Sequence, residues 1–284
     1  MAEGTTQTTT TTTTEAEEEA AAHRLSDTLA LLESDSLDFV VVDRPETTAG
    51  ATTTTTTTET DPDGEEGARA CEERVLRDSA PFSDRSVLAY RRTLFAHGCP
   101  SSLRGVLWRV LLGYLPADEL EAALAPTTST PRTREELDSA VDRVLAPRRR
   151  EYAALAAEYD AARAAGTWDA ATQRLHGEVH VDPPRTILPG LEALAASPVL
   201  HALLCRVLVL WARRTPAVGY FQGLADLVDV LVACFLAEHP AIAGDPHRLT
   251  PAFLDSLPPA FLARVEADAF WCTTALMNVM GVCF

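Results

Sequence analysis

Val179-His180-Val181-Asp182-Pro183-Pro184-Arg185-Thr186 and Pro216-Ala217-Val218-Gly219-Tyr220-Phe221-Gln222-Gly223 bracket a segment, Pro198 to Ala212, that is apolar on almost every side. Leu200, Leu203, Leu204, Val207, Leu208, Leu210 and Trp211 leave no polar face, and a helix of that kind belongs inside a core. Pro216 and Gly219 end it, and Arg213 and Arg214 suit its C-terminal carbonyls. A second buried helix is predicted from about Gln222 to Glu238, and a last one from Ala260 to about Val279. No useful length of chain alternates with the period of a strand, and no repeat at solenoid spacing is present. The fold class is therefore all-α.

Upstream the same period continues. Ser101 or Ser102 can cap a helix running through L-R-G-V-L-W-R-V-L-L-G-Y-L-P, with Leu103, Leu107, Val110 and Leu111 as its core stripe and Gly113 and Pro116 as its stop. A short helix is expected near Asp118–Leu124. Two more follow, from about Arg134 to Leu145 and around Arg148–Ala165, the second stopped by Gly166.

Composition sets the boundaries. Of the net charge of −17 over 284 residues, most lies in residues 1–80, which hold 19 acids and 5 arginines against 22 and 19 in the remainder. Threonine tracts at Thr5–Thr14 and Thr52–Thr58, set among acidic clusters, bury too little apolar surface to offset ordering, so residues 1–70 read as a disordered tail. Within it Leu25–Leu32 could form a short helix, and Leu37–Val42 is a brief apolar run. The helical domain spans 71–284. So acidic a chain is ill suited to nucleic acid, which calls for a basic face. Six scattered cysteines without a C-x-x-C, and an opening without a basic-then-apolar leader, point to a reduced cytoplasmic setting. The longest apolar stretch, Leu224–Ala237, contains Asp226 and Asp229 and is too short to span a bilayer.

The chemistry rests on the two bracketing motifs. Consecutive prolines fix φ near about −65° and cannot sit inside a helix, so Arg185 is expected on a stiff, extended piece of backbone. Asp182, three residues back, could hold its guanidinium in a bidentate pair. Gly219 and Gly223 allow close approach of another backbone, and Gln222 is expected at a helix start with its amide outward. Every basic side chain here is arginine, with no lysine, so Arg185 is singled out by its context. An arginine and a glutamine offered together are what a slow GTP-hydrolysing site lacks: a cation for the charge developing on the phosphoryl group, and an amide to orient the attacking water.

With these motifs in view the chain resembles the TBC-domain Rab GTPase-activating proteins. The resemblance rests on Arg104-Gly105-x-x-Trp108 with the following L-L-G-Y-L-P, on Val179-x-x-Asp182-x-x-Arg185, and on Gly219-Tyr220-x-Gln222-Gly223. It also takes in R-R-R-E-Y, W-A-R-R-T-P-A-V-G-Y and E-A-D-A-F-W-C, spans about Leu88 to Cys272, and is nearest the branch reading I-D-I-P-R-T. It implies an all-helical domain acting on a GTP-bound Rab, and so regulating vesicle traffic. Arg185 and Gln222 would be the catalytic fingers, Asp182 and Tyr220 would orient them, and Arg104, Trp108, Gly219 and Gly223 would be structural. The domain would be a regulator with no reaction or cofactor of its own, the GTP and Mg belonging to the GTPase, and it would reach endomembranes through that partner.

Two departures from the family pattern stand out. Val179 replaces the usual Ile, and the family domain ordinarily continues for roughly another third beyond a segment like F-W-C. A domain lacking those helices would expose apolar surface, and the alternative reading is a non-catalytic Rab-binding module of the same fold, inactivated by the truncation. A metal site is disfavoured, because His176 and His180 lie four apart but have no third ligand. A Cys–His hydrolase is disfavoured because the cysteines sit in apolar surroundings.

Overall fold

The computed structural model describes Glu73, Val75, Leu76 and residues 101–124, 132–242 and 245–281. The 1–70 tail, its boundary, Leu25–Leu32, Leu37–Val42 and the helical spacing around Leu88–Phe95 lie outside the described residues. Cys71, Cys99 and Cys283 lie outside them too.

Among the described residues every regular element is helical. Eight α-helices follow one another: α1 Ser101–Leu111, α2 Ala117–Ala123, α3 Arg134–Ala164, α4 Ala170–Val179, α5 Pro198–Arg214, α6 Leu224–Leu236, α7 Pro251–Ser256 and α8 Pro259–Gly281. Short 3₁₀ turns lie at Pro183–Arg185, Glu192–Ala196 and Pro246–Arg248.

Helix α5 is the centre, as its all-round apolar sequence requires. Leu204, Val207, Leu208 and Val209 are fully buried and Trp211 is 1% exposed. Ser197 starts the helix by accepting the Leu200 N–H, with Pro198 at the first helical position, where a missing N–H costs nothing. Helices α6 and α8 pack most extensively on each other, and both pack on α5; α3 and α4 cover α5 from other sides.

Three sequence expectations are corrected by this arrangement. The helices predicted at Arg134–Leu145 and Arg148–Ala165 form one 31-residue helix, α3, that passes through Pro147. An interior proline costs about 3 kcal/mol, yet Val141 and Leu145 before it and Tyr152 and Tyr159 after it all bury in the same core. Packing on both sides outweighs the local penalty. Leu111, assigned to the core stripe of α1, is 48% exposed; the buried stripe is Leu103, Val106 and Leu107, and the polar Arg109 is buried beside it. Helix α6 begins at Leu224 rather than Gln222, because Gly223 before it has φ +96° and breaks the helical path.

The arginine at 109 anchors the scaffold. Its guanidinium donates to Asp268 (2.9 Å from Nε) and to both oxygens of Glu238 (2.7 and 2.8 Å), and it lies 4.3 Å over the Phe235 ring. Asp268, with no exposed surface, also accepts from the Tyr114 hydroxyl at 2.9 Å and from Arg149 at 2.8 and 2.7 Å. Burial pushes this carboxyl up, but Arg109 and Arg149 outweigh it and hold it below its ordinary range. A second cluster joins Glu266 to Arg206 and to the Tyr152 hydroxyl, the latter at 2.6 Å. Buried charges persist only when every one is compensated in this way.

No helix among the described residues is long and apolar enough to cross a membrane.

Candidate functional site

Helix α4 delivers the first loop. Asp169 caps it by accepting the Thr172 N–H at 2.6 Å; the His176 ring packs tilted against Trp168 and stacks on His180. Burial, then Arg163 and His180, lowers the pKa of His176. His176 and His180, weighed above as a metal pair, stack as rings 5.7 Å apart. Among the described residues no three His, Cys, Asp or Glu side chains converge as a ligand set. Cys205 lies 3.8 Å from the His180 ring and, like Cys234 and Cys272, is a free, buried thiol. Burial pushes the Cys205 thiol up to about 11, away from nucleophilic use.

Where an extended piece of backbone is expected, Asp182 leads into a 3₁₀ turn at Pro183–Arg185. The N–H groups of Arg185 and Thr186 both donate to the Asp182 carbonyl, at 2.8 and 3.1 Å. The two prolines occupy the first positions of the turn, whose N–H groups have no helical partner, so the ring that forbids a helix interior is accepted here. Pro183 and Thr186 are buried and pin the turn; Arg185 points outward from it, exposed.

The second loop leaves α5 by a turn in which Val218 and Gly219 both donate to the Thr215 carbonyl, at 3.1 and 2.9 Å. Gly219 (φ +69°) and Gly223 (φ +96°) take left-handed conformations that other residues adopt at a cost. A Cβ at either would meet nothing within 4 Å, so backbone shape rather than space demands glycine. Gln222 lies between them in the turn, exposed.

One hydrogen bond joins the loops. The Tyr220 hydroxyl donates to the Asp182 carboxylate. Burial, then this bond, pushes the Tyr220 phenol well up. The expected pairing of Asp182 with Arg185 is therefore not what forms: the carboxylate is turned to Tyr220. Among the described residues Arg185 and Gln222 make no side-chain hydrogen bond or ion pair, so both functional groups are presented unpartnered.

Arg104 and Trp108 belong to the scaffold, on α1, half-buried. Arg104 is one of the groups acting on the Cys234 thiol, which burial pushes up. Gly105 between them explains the motif: a Cβ there would lie 2.2 Å from Glu238 Oε1 and 3.0 Å from Phe235 Cδ1. Glycine lets Glu238 reach Arg109. Sequence reasoning missed Arg109, Glu238 and Asp268; the signal available was charge embedded in otherwise apolar helices.

The fold and the site together define an all-helical domain that presents an arginine and a glutamine outward, from two loops tied to each other. The model of the Rab-GTPase-TBC domain matches residues 101–282, and the chain belongs to that family. It is 30% identical over 190 residues to TBC1 domain family member 22A of Mus musculus, covering 66% of this chain and 30% of that one. It is 32% identical over 205 residues to the GTPase-activating protein gyp1 of Schizosaccharomyces pombe, covering 72% of this chain and 34% of that one. The chain thus spans about a third of the length of these relatives. The crystal structure of the Ypt/Rab-GAP domain of Gyp1p shares the fold, with a TM-score of 0.56 at 24% identity over 75% of this chain and 57% of that one.

Proposed function

We propose that this domain accelerates GTP hydrolysis by a GTP-bound Rab-type GTPase. Arg185 neutralises charge on the transferred phosphoryl group and Gln222 orients the attacking water, with Asp182 and Tyr220 setting the two loops. The observation that carries this reading is the pair of exposed, unpartnered side chains on loops joined by the Tyr220–Asp182 bond. An arginine already locked in an ion pair would have to break it before reaching a phosphate; among the described residues Arg185 forms none. GTP and its Mg belong to the partner, and the domain contributes side chains to the partner's reaction. Acting on a Rab, it would regulate vesicle traffic from the cytoplasm, meeting endomembranes through that GTPase.

The test is single-turnover GTP hydrolysis by a panel of Rab proteins with the chain, with Arg185→Ala and with Gln222→Ala. A trans-acting arginine is worth about 10³- to 10⁵-fold, so the acceleration should vanish with Arg185→Ala and fall steeply with Gln222→Ala. Acceleration that survives both substitutions would overturn the mechanism. Binding of a GTP-loaded Rab with no acceleration by the unaltered chain would replace it with a non-catalytic docking module.

A further inference from the structure

Six large hydrophobic residues are exposed among the described residues: Leu111, Val181, Ile187, Val218, Phe221 and Val230. Four of them crowd the fingers. Val181 and Ile187 lie within four residues of Arg185, and Val218 and Phe221 within four of Gln222. Their exposures run from 38% at Phe221 to 59% at Ile187.

These positions are not left over from loose loops. Pro183 and Thr186 bury on either side of the exposed Arg185, and the turn around them is closed by the bonds to the Asp182 carbonyl. On the other loop Leu224 is fully buried just after the exposed Phe221 and Gln222. The Tyr220–Asp182 bond joins the immediate chain neighbours of Phe221 and Val181, so the apolar groups of both loops share one region of surface. The fold anchors the backbone and turns the greasy side chains outward.

Charge marks one border. Asp226, exposed in the first turn of α6, makes no ion pair among the described residues, and Val230 lies one turn further along the same exposed face. Behind it Asp229 is 3% exposed, with no side-chain hydrogen bond among the described residues. Burial and then the charge of Asp226 push its carboxyl up to about 7. Among the described residues neither Asp226 nor Asp229 forms an ion pair.

We propose that Val181, Ile187, Val218 and Phe221, bordered by Asp226, form the docking surface for the GTP-bound GTPase, and that the partner brings an apolar patch with a basic side chain facing Asp226. The proposal rests on the activator reading above. A body whose nucleotide phosphate is reached by both Arg185 and Gln222 must cover the surface between and beside them. An apolar centre with a charged border is the composition of a protein interface. The partner's cation would meet the negative field of the exposed Asp226, which adds specificity and association rate.

The experiment measures kcat and KM for GTP hydrolysis by a responding Rab, with the full chain and with Ile187→Ser, Val218→Ser, Asp226→Arg, Arg185→Ala and Leu111→Ser. Circular dichroism verifies the fold of each. Ile187→Ser, Val218→Ser and Asp226→Arg should each raise KM about tenfold with kcat within twofold. Arg185→Ala should lower kcat instead, and Leu111→Ser, exposed but remote from the finger loops in sequence, should change neither. Loss of acceleration with Arg185→Ala, but unchanged KM in the three surface variants, overturns the docking surface and leaves the activator reading standing. If no Rab responds to the unaltered chain, the activator reading falls and takes the surface with it. A chain that self-associates in light scattering, and is made monomeric by Ile187→Ser, assigns the patch to a second copy and overturns the proposal.

Discussion

The Tyr220 hydroxyl donates to the Asp182 carboxylate across 38 residues of sequence, and that single bond holds the loop of Arg185 against the loop of Gln222. Neither loop reaches the other through any other hydrogen bond of the described residues. A bond to a charged acceptor contributes about 1.5–3 kcal/mol, enough to hold a short turn but small beside the buried core. The bond therefore bears on the geometry of the fingers more than on the stability of the domain.

Tyr220→Phe tests that separation. It removes the donor, keeps the ring that packs against the core, and leaves a half-buried carboxylate free to pair with Arg185 instead. Activation of a responding Rab should fall about tenfold, the rate equivalent of 1.4 kcal/mol, while the thermal midpoint moves by a few degrees at most. A variant that activates within twofold of the unaltered chain would show that the bond does not position the fingers.

The core of this fold was legible because its helices announce themselves by composition. Pro198–Ala212 could be buried all round and nowhere else, and the structure makes it the central helix. Gly166 and Gly219 mark breaks through left-handed backbone, as their positions suggested, whereas the break at Gly223 moved the start of α6 past the expected Gln222. What could not be read was anything decided by a partner distant in sequence. Pro147 looked like a boundary because the core that holds both halves of α3 lies elsewhere in the chain. The burial of Arg109 could not be read locally because its partners Glu238 and Asp268 are 129 and 159 residues away. The acid at 182 was paired with its sequence neighbour, Arg185, when its true partner is Tyr220. Local chemistry fixes the element; long-range chemistry decides which polar group is buried.

Gly105→Ala should show how tightly that long-range chemistry is packed. The new methyl would lie 2.2 Å from Glu238 Oε1 and 2.7 Å from its Cδ. The glutamate is the far end of a side chain and could swing away, but only by releasing the buried Arg109. A loss of about 2–3 kcal/mol is expected in denaturant unfolding, as for breaking a buried charged hydrogen bond. In a Glu238→Ala background the same substitution should cost markedly less, since the clash partner is gone. Equal costs in both backgrounds would refute the steric account.

Asp268→Asn should be the most damaging isosteric change in the domain. It leaves Arg109 and Arg149 buried beside a neutral amide, and removing one member of a buried ionic cluster costs about 3–5 kcal/mol. The pH dependence has a definite sign. Because Arg109 and Arg149 hold the folded pKa below the ordinary carboxylate range, this carboxylate contributes stability that is present above that range and is lost as pH falls through the lowered folded pKa. The unaltered chain should therefore lose stability on acidification below about pH 4 more steeply than the variant does. Parallel acid-unfolding curves would refute the assignment.

Asp229→Asn should act in the opposite direction. Burial, then the charge of Asp226, pushes the folded carboxyl up from the ordinary carboxylate range to about 7. A raised acid favours folding while it is protonated, and that contribution is lost as pH rises from about 4 through 7. Above pH 7 the folded chain carries a buried, unpartnered negative charge, which the amide does not. The variant should gain on the unaltered chain by about 4 kcal/mol at pH 8, and by far less at pH 4.5, as read from urea unfolding at the two pH values. Because Asp229 lies behind the border of the proposed docking surface, a bound GTPase that places a cation there should shrink the advantage at pH 8. A variant less stable than the unaltered chain at pH 8 would mean that Asp229 is compensated after all, and that the corner carries no free negative field for a partner to meet.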